Sequence, residues 1–213
     1  MLTIDNKLNI LRQISLFDGL STSELQVIAG STEELDFPAN EVIIEQDDES
    51  DCAYIIVSGS ARVYRLTEDG EEVNLAILGK DQVLGEMALL DKQPRSANVE
   101  SVQPIKVLKL TRTDFSRILH QHPDTAINLL STLSTRVRSA NEHLEDVFSK
   151  NLEERTWKML QTLAHYFPNQ QITLSQEELA TMVGATRARV TEVLADLADT
   201  GKITLAHRKI QVI

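Results

Sequence analysis

Between residue 34 and about residue 112 the apolar positions come in short runs rich in Val, Ile and Tyr: EVIIEQ, CAYIIVSG, ARVYRL, VNLAIL and IKVLKL. Turn-forming groups divide them, at Pro38-Ala39-Asn40, Gln46-Asp47-Asp48, Ser58-Gly59-Ser60, Glu68-Asp69-Gly70 and Gly79-Lys80-Asp81. Short strands at this spacing predict an antiparallel barrel or sandwich. Asp69-Gly70 is the clearest hairpin signal. Residues 84–97, LGEMALLDKQPRSA, interrupt the series and read as a glycine turn, a short helix over 86–90 and a polar loop. Ahead of the strands, 8–16 and 21–31 read as short helices, the second capped by Ser21 or Ser23.

After Thr113-Asp114 the pattern turns helical, breaks at His122-Pro123-Asp124, and resumes as a long helix over 124–150. In that helix Ile127, Leu130, Ser134, Val137, Asn141, Leu144 and Phe148 follow one another in alternating steps of three and four. This is the seam of a two-stranded coiled coil. Such a seam needs a partner, most simply the same helix of a second subunit. The alternative is that the helix packs onto its own barrel. Residues 149–153 read as a hinge and 152–166 as a helix with Trp157, Leu160, Leu163 and Ala164 inward, followed by a short strand at 172–174.

Ser175 with Glu178 forms a capping box that starts the next helix. Leu179, Ala180 and Val183 line its inner face, and Gly184 permits a tight turn. Thr186 caps a second helix in which Val190, Leu194 and Leu197 point inward. Helix, glycine turn, helix is the helix-turn-helix arrangement, and residues 203–213 read as a two-stranded wing. The outer face of the second helix carries Arg187, Ala188, Thr191 and Glu192, with Arg189 at its flank. In a DNA reader these residues meet base edges. Thr173, Ser175, Lys202, Arg208 and Lys209 are placed for phosphates. An ordinary helical hairpin with a charged outer face is the competing reading.

Charge sharpens this division. Residues 1–149 hold 13 Lys/Arg against 25 Asp/Glu, whereas residues 150–213 hold 8 against 7. An acidic segment repels DNA, so any contact with nucleic acid falls to the second part, through local basic residues. The one cysteine, Cys52, excludes an intramolecular disulfide and a thiolate-held cluster. Nothing approaches the ~20 apolar residues of a membrane span, and no signal-peptide core is present, so a cytoplasmic protein with no membrane partner is expected. His120 and His122 are two apart and the other histidines are scattered, so neither a metal nor haem is expected. Without a nucleophile–base set, a metal-ligand spacing or a phosphate-loop motif, an enzyme is not expected either.

The 84–97 segment has chemistry of its own. Backbone N–H groups of Glu86, Met87 and Ala88 at a helix start suit an anion. Arg95 can pair with a phosphate in a bidentate way, and Ser96 can add a hydrogen bond. The bland alternative is that Arg95 and Glu86 pair with each other.

At this point the sequence resembles a known family. ITLSQEELATMVGATRARVTEVLADLADTGKITLAHRKIQVI resembles the DNA-binding domain of the CRP/FNR superfamily along its whole length. LGEMALLDKQPRSANV is similar to the phosphate-binding cassette of cyclic-nucleotide-binding domains, with Gly85-Glu86 followed by Arg95. LFDGLSTSEL and IIVSGSARVYRLTEDGEE are also typical of the superfamily. The resemblance implies an α+β protein in three parts. A cyclic-nucleotide-binding antiparallel β-barrel of jelly-roll type spans 1–123, a long dimerisation helix 124–150, and a winged helix-turn-helix 151–213.

It further implies a homodimeric, sequence-specific transcription regulator. Such a protein binds double-stranded DNA at a palindromic operator, engages RNA polymerase and is controlled by a cyclic nucleotide, cAMP in preference to cGMP. Gly85, Glu86, Met87, Ala88, Arg95 and Ser96 are then the ligand set, with Glu86 accepting from the ribose 2′-hydroxyl. Asn141 either joins them at the base or serves only to fix register in the seam. The recognition helix departs from many relatives at Ala188 and Glu192, so the operator is expected to differ. A ligand-independent regulator, or one sensing another small molecule, is the alternative.

Overall fold

The computed structural model describes residues 2–206 and 209–213. Arg208 of the expected wing lies outside them, as do the side chains of Leu144 and Phe148 in the expected seam. The chain divides into two compact units, Met1–Val63 with Leu78–Arg138, and Tyr64–Ile77 with Ser139–Ile213.

The first unit begins with α1 (Ile4–Leu11) and α2 (Thr22–Ser31). The Thr3 hydroxyl accepts from the Asn6 N–H at 3.2 Å and starts α1 upstream of the expected 8–16. In place of the second half of that expected helix, Ile14 is extended and Ser15–Phe17 form a single 3-10 turn. The gain is burial: Ile14, Leu16 and Phe17 all reach the core. Ser21, and not Ser23, caps α2 through a full capping box with Glu24.

Eight strands follow: β1 (Glu33–Phe37), β2 (Val42–Ile44), β3 (Cys52–Ser58), β4 (Ser60–Leu66), β5 (Glu72–Gly79), β6 (Val83–Leu84), β7 (Asn98–Ser101) and β8 (Ile105–Thr111). Between β6 and β7 lies α3 (Glu86–Asp91). The strands form two four-stranded sheets, β1-β8-β3-β6 and β2-β7-β4-β5, so the jelly roll is realised as a sandwich whose sheets do not close into a ring. Ile56, Leu84, Ile105 and Val107 of the first sheet meet Ile44, Ala61, Leu78 and Val99 of the second.

The other face of the first sheet, with Ile55, Leu108 and Leu110, packs against the helices. β3 and β8 are therefore buried on both faces, which explains their continuous apolar runs. At the hairpin signal, Gly70 N–H donates to the Thr67 carbonyl at 2.9 Å, closing the expected turn.

α4 (Arg112–Gln121) ends at His122, which leaves the helical region, and α5 (Pro123–Ser149) starts afresh with proline in its first turn. Two faces of α5 matter. Thr125, Leu129, Leu133 and Arg136 turn toward the first unit, where Leu129 is 4% exposed. Asn128 adds donors to the carbonyls of Leu16 and Asp18. The expected seam lies elsewhere on the helix, with Ile127, Leu130 and Val137 62%, 59% and 60% exposed. Ser134 and Asn141 share this exposure. The helix thus packs on its own sandwich and still presents the stripe.

The second unit contains α6 (Leu152–Ala164), β9 (Gln171–Ile172), α7 (Gln176–Val183), α8 (Arg187–Asp199), β10 (Ile203–Ala206) and β11 (Lys209–Val212). Asn151 caps α6 in a box with Glu154. The inner face of α6 uses Leu152, Thr156, Leu160 and Leu163, while Trp157, expected inside, is half-buried. Thr156 is tolerated there because its hydroxyl donates to the Leu152 carbonyl at 2.7 Å. The expected strand at 172–174 reduces to Gln171–Ile172, which pairs with β11 in a sheet of order β10-β11-β9.

The two faces of α5 generate a contrast. Leu129→Ala should cost about 3 kcal/mol of folding free energy through the cavity it leaves. Leu130→Ala, one residue along, should cost less than half of that. Urea denaturation at protein concentrations low enough to exclude association measures both.

Candidate functional site

Two groups of expected site residues lie in different units. The first surrounds α3. Gly85 sits at its N-cap with φ 72°, and Lys92 closes it in the left-handed region. Gly85 is required twice over: by its backbone angle, and because a Cβ there would lie 2.1 Å from Arg95 Nη1. The close approach exists because Arg95, 5% exposed, donates from Nη1 to the Gly85 carbonyl at 2.7 Å. Its Nη2 donates to the Cys52 carbonyl at 2.8 Å. The backbone of Arg95 is also fixed, its N–H donating to Asp48 O and its carbonyl accepting from Asp47 N–H, both at 2.9 Å.

Glu86, 2% exposed, does not pair with Arg95 as the bland alternative supposed. Its carboxylate accepts from Arg136 Nη1 at 2.5 Å, and Arg136 Nη2 donates to the Val83 carbonyl at 2.6 Å. Burial pushes the Glu86 carboxyl above its ordinary range, while the nearby Arg136 charge pulls it back. Met87 and Ala88 follow on the first turn of α3, the former 47% exposed and the latter buried. Ser96 is exposed, its hydroxyl 3.8 Å from Met87 Sδ.

All six expected cassette residues line one pocket with Arg136, and Ile44, Leu78, Leu84 and Val99 supply an apolar wall. Arg95 and Arg136 against Glu86 leave a net charge of +1 in this pocket, the complement of a monoanion. Beyond the two carbonyls, Arg95 Nη2 also lies 3.7 Å from Cys52 Sγ, which leaves one donor each on Nε and Nη1. The arrangement suits a ligand with one negative charge, a hydroxyl and an apolar body.

Arg136 escaped the sequence reading. Its signal was present, because Thr125, Leu129, Leu133 and Arg136 recur at steps of four, four and three along α5. An arginine closing such a stripe lies on the packed side of its helix. Asn141 lies on the exposed side of α5.

The second group is built on α7 and α8. The Ser175 hydroxyl accepts from the Glu178 N–H at 3.1 Å, and the Ser175 N–H donates to the Glu178 carboxylate at 2.6 Å. Gly184 ends α7 with φ 64°, and Thr186 caps α8. Val190, Leu194 and Leu197 are fully buried and fix which face of α8 turns out. Arg187, Ala188, Arg189, Thr191 and Glu192 are all exposed. The side chains of Arg187, Arg189 and Glu192 have no partner among the described residues.

Thr191 is different, since its hydroxyl donates to Gln176 Oε1 at 2.7 Å and lies 2.9 Å from the Arg187 carbonyl. Gln176 was not singled out in the sequence, because a glutamine after a cap carries no distinctive signal. Thr173 and Lys209 are exposed. Lys202 is engaged, with Nζ 3.4 Å from Glu153 and 5.7 Å from the centre of the Trp157 ring. Among the described residues no helix is long and apolar enough to cross a membrane. Nor does any group of three or more His, Cys, Asp or Glu there stand ready for a metal ion.

Known protein families match two stretches of the chain. Residues 34–122 match the cyclic nucleotide-binding domain, and residues 154–213 match the Crp-like helix-turn-helix domain. The chain is 29% identical over 210 residues to the "CRP-like cAMP-activated global transcriptional regulator" of Mycobacterium tuberculosis, covering 95% of this chain and 94% of that protein. It is 30% identical over 197 residues to the "Cyclic AMP receptor protein" of Thermus thermophilus, covering 92% and 91%.

Among solved structures, the Thermus thermophilus catabolite activator protein aligns with a TM-score of 0.56 at 30% identity, covering 93% of each chain. A CRP/FNR-family regulator from the same organism aligns with a TM-score of 0.72 at 25% identity, covering 85% of this chain and 92% of that one. With both domains matched in order and relatives aligned along nearly the whole length, the chain belongs to the CRP/FNR family of transcriptional regulators.

Proposed function

We propose that the protein is a homodimeric, sequence-specific DNA-binding regulator controlled by a cyclic nucleotide, cAMP in preference to cGMP. The observation that carries this reading is the set of buried Arg95 and Glu86 with half-buried Arg136, its net charge of +1 lying beside an apolar wall. In this reading the cyclic phosphate takes the free donors of Arg95 and the Ser96 side of the loop. Glu86 accepts from the ribose 2′-hydroxyl, and the base lies toward the apolar residues. Preference for cAMP rests on the names of the two aligned relatives.

The proposed division of labour follows the chain: nucleotide binding within 1–123, dimerisation through 124–150, and DNA binding within 151–213. The exposed stripe of Ile127, Leu130, Ser134, Val137 and Asn141 is the proposed subunit seam. Asn141 there either fixes register or reaches the base of the nucleotide. Two α8 helices about one DNA turn, ~34 Å, apart then read a palindromic operator. Arg187, Ala188, Arg189, Thr191 and Glu192 face bases, and Thr173, Ser175 and Lys209 face phosphates. Lys202 must first leave Glu153. Such a regulator works on cytoplasmic DNA alongside RNA polymerase. Coupling between nucleotide and operator has a typical size of ~1–3 kcal/mol and acts equally in both directions.

A second reading, regulation without a nucleotide, is favoured by one observation. Arg95 and Glu86 are already held in place by hydrogen bonds to protein groups, so the site holds together by itself.

Isothermal titration separates the two. Saturable heat with cAMP, lost in Arg95→Ala while the thermal unfolding transition persists, is the expected result. No heat with either cAMP or cGMP sinks the nucleotide reading. Val137→Asp should convert the dimer to monomer in analytical ultracentrifugation, and an unchanged mass would remove α5 from the interface.

Arg136→Ala leaves the buried Glu86 carboxylate without its cation and should cost about 3 kcal/mol of stability near neutral pH. The Glu86 carboxyl is already held high by burial, and the substitution raises it further. A raised carboxyl favours folding only where it is protonated, so the deficit should be full at about pH 8 and shrink toward about pH 5. Chemical denaturation at the two pH values measures it.

A further inference from the structure

We infer that Thr191 reads its base pair as a hydrogen-bond acceptor only, and that Gln176 is the positioning residue that makes it so. The inference rests on the DNA-binding reading above and extends it to the polarity of the recognition surface. A threonine hydroxyl has one proton and two lone pairs. Left free it rotates, so in a major groove it serves either donors or acceptors and discriminates poorly. Here it is not free.

Two oxygens lie within bonding distance of Thr191 Oγ1: Gln176 Oε1 at 2.7 Å and the Arg187 carbonyl at 2.9 Å. The Arg187 carbonyl can only accept, whichever way the glutamine amide is turned. The single proton is therefore kept inside the protein, and the lone pairs face outward from an exposed position on the second turn of α8.

The bond to Gln176 has a second effect. It joins the first residue of α7 to the outer face of α8 across 15 residues of chain. The buried Val190 and Leu194 hold α8 from beneath, and the Gln176 amide holds Thr191 from the side. A backbone bond alone would leave the hydroxyl proton one acceptor that it can abandon. With two acceptors converging on it, turning the proton toward a base loses both.

The neighbouring residue points the same way. Glu192, exposed and without a partner among the described residues, is acceptor-only when ionised. The first turn of the helix carries the donors Arg187 and Arg189, exposed and likewise unpartnered among the described residues. The surface of α8 is thus polarised along its axis, donors first and acceptors second. In the major groove the donors among base edges are the exocyclic amines of adenine and cytosine, whereas guanine and thymine present only acceptors at O6, N7 and O4. The base opposite Thr191 is accordingly an amine-bearing one, adenine or cytosine.

The test is selection of binding sites from a DNA library with one randomised half-site, using the full-length dimer with and without cAMP. Wild-type protein should select adenine or cytosine at one strand position that Thr191→Val makes about fivefold less preferred, one hydrogen bond's worth, with the other positions unchanged. Thr191→Ser should restore the preference. Gln176→Ala should relax the same position toward guanine and thymine while affinity for the best site stays within about twofold.

Uniform loss of affinity across all sequences in Thr191→Val or Gln176→Ala would mean a purely structural bond and overturn the inference. So would a wild-type preference for guanine or thymine at the position that Thr191→Val alters. If wild-type protein selects no sequence under either condition, the DNA-binding reading itself falls. A wild type that selects a clear operator, beside a Thr191→Val profile that matches it everywhere, removes only the present inference.

Discussion

A carboxylate buried to 2% exposure must find a cation or lose its charge, and Glu86 finds Arg136. Much of the first unit is arranged around this need. Glu86 is carried inward because Gly85 turns the chain with positive φ and α3 starts at once. Arg136 is carried inward because Leu129 and Leu133 seat that face of α5 on the helical side of the sandwich. The pair joins an element late in the unit to the first residue of α3, 50 residues earlier, and so fixes where α5 lies relative to α3. Any molecule that competes for Glu86 or Arg136 acts on that helix directly.

α5 serves two surfaces with one periodic pattern, which is possible because a helix of 27 residues has more circumference than one interface uses. One stripe is buried in its own unit, and the other leaves Ile127, Leu130 and Val137 more than half exposed. A shift of the first stripe moves the second with it, since they share a rigid backbone. The second unit is simpler. Three fully buried side chains of α8 decide which residues face outward, and Arg187, Arg189 and Glu192 among these have no partner among the described residues.

Period and punctuation were legible in the sequence where each residue acts locally. Ser21, Ser175 and Thr186 cap the helices they adjoin, Asp69-Gly70 turns a hairpin, and the strand runs of the first half fall where they were expected. The first helix was misplaced because Leu16 and Phe17 look like its continuation, although they reach the core from an extended Ile14 and a 3-10 turn. Trp157 was assigned to the core by its size, whereas Thr156 occupies that place with its hydroxyl satisfied by the helix itself. Gly85, Glu86 and Arg95 were visible as a local group. Arg136 was not, because its partner lies 50 residues away and only packing brings the two together. Gln176 was missed for the same reason on a smaller scale.

Both anchors of Arg95 are main-chain carbonyls, those of Gly85 and Cys52. Substitution at either position changes a side chain and leaves the carbonyl oxygen in place. Its two short hydrogen bonds therefore survive a change of either side chain, and a Cys52 substitution removes only the longer contact of Nη2 with the thiol sulfur at 3.7 Å. Mutational drift can dislodge it only by replacing Arg95 itself, by crowding it at Gly85, or by bending strand β3. A site assembled on backbone acceptors thus keeps its cation fixed through changes in the side chains that carry them.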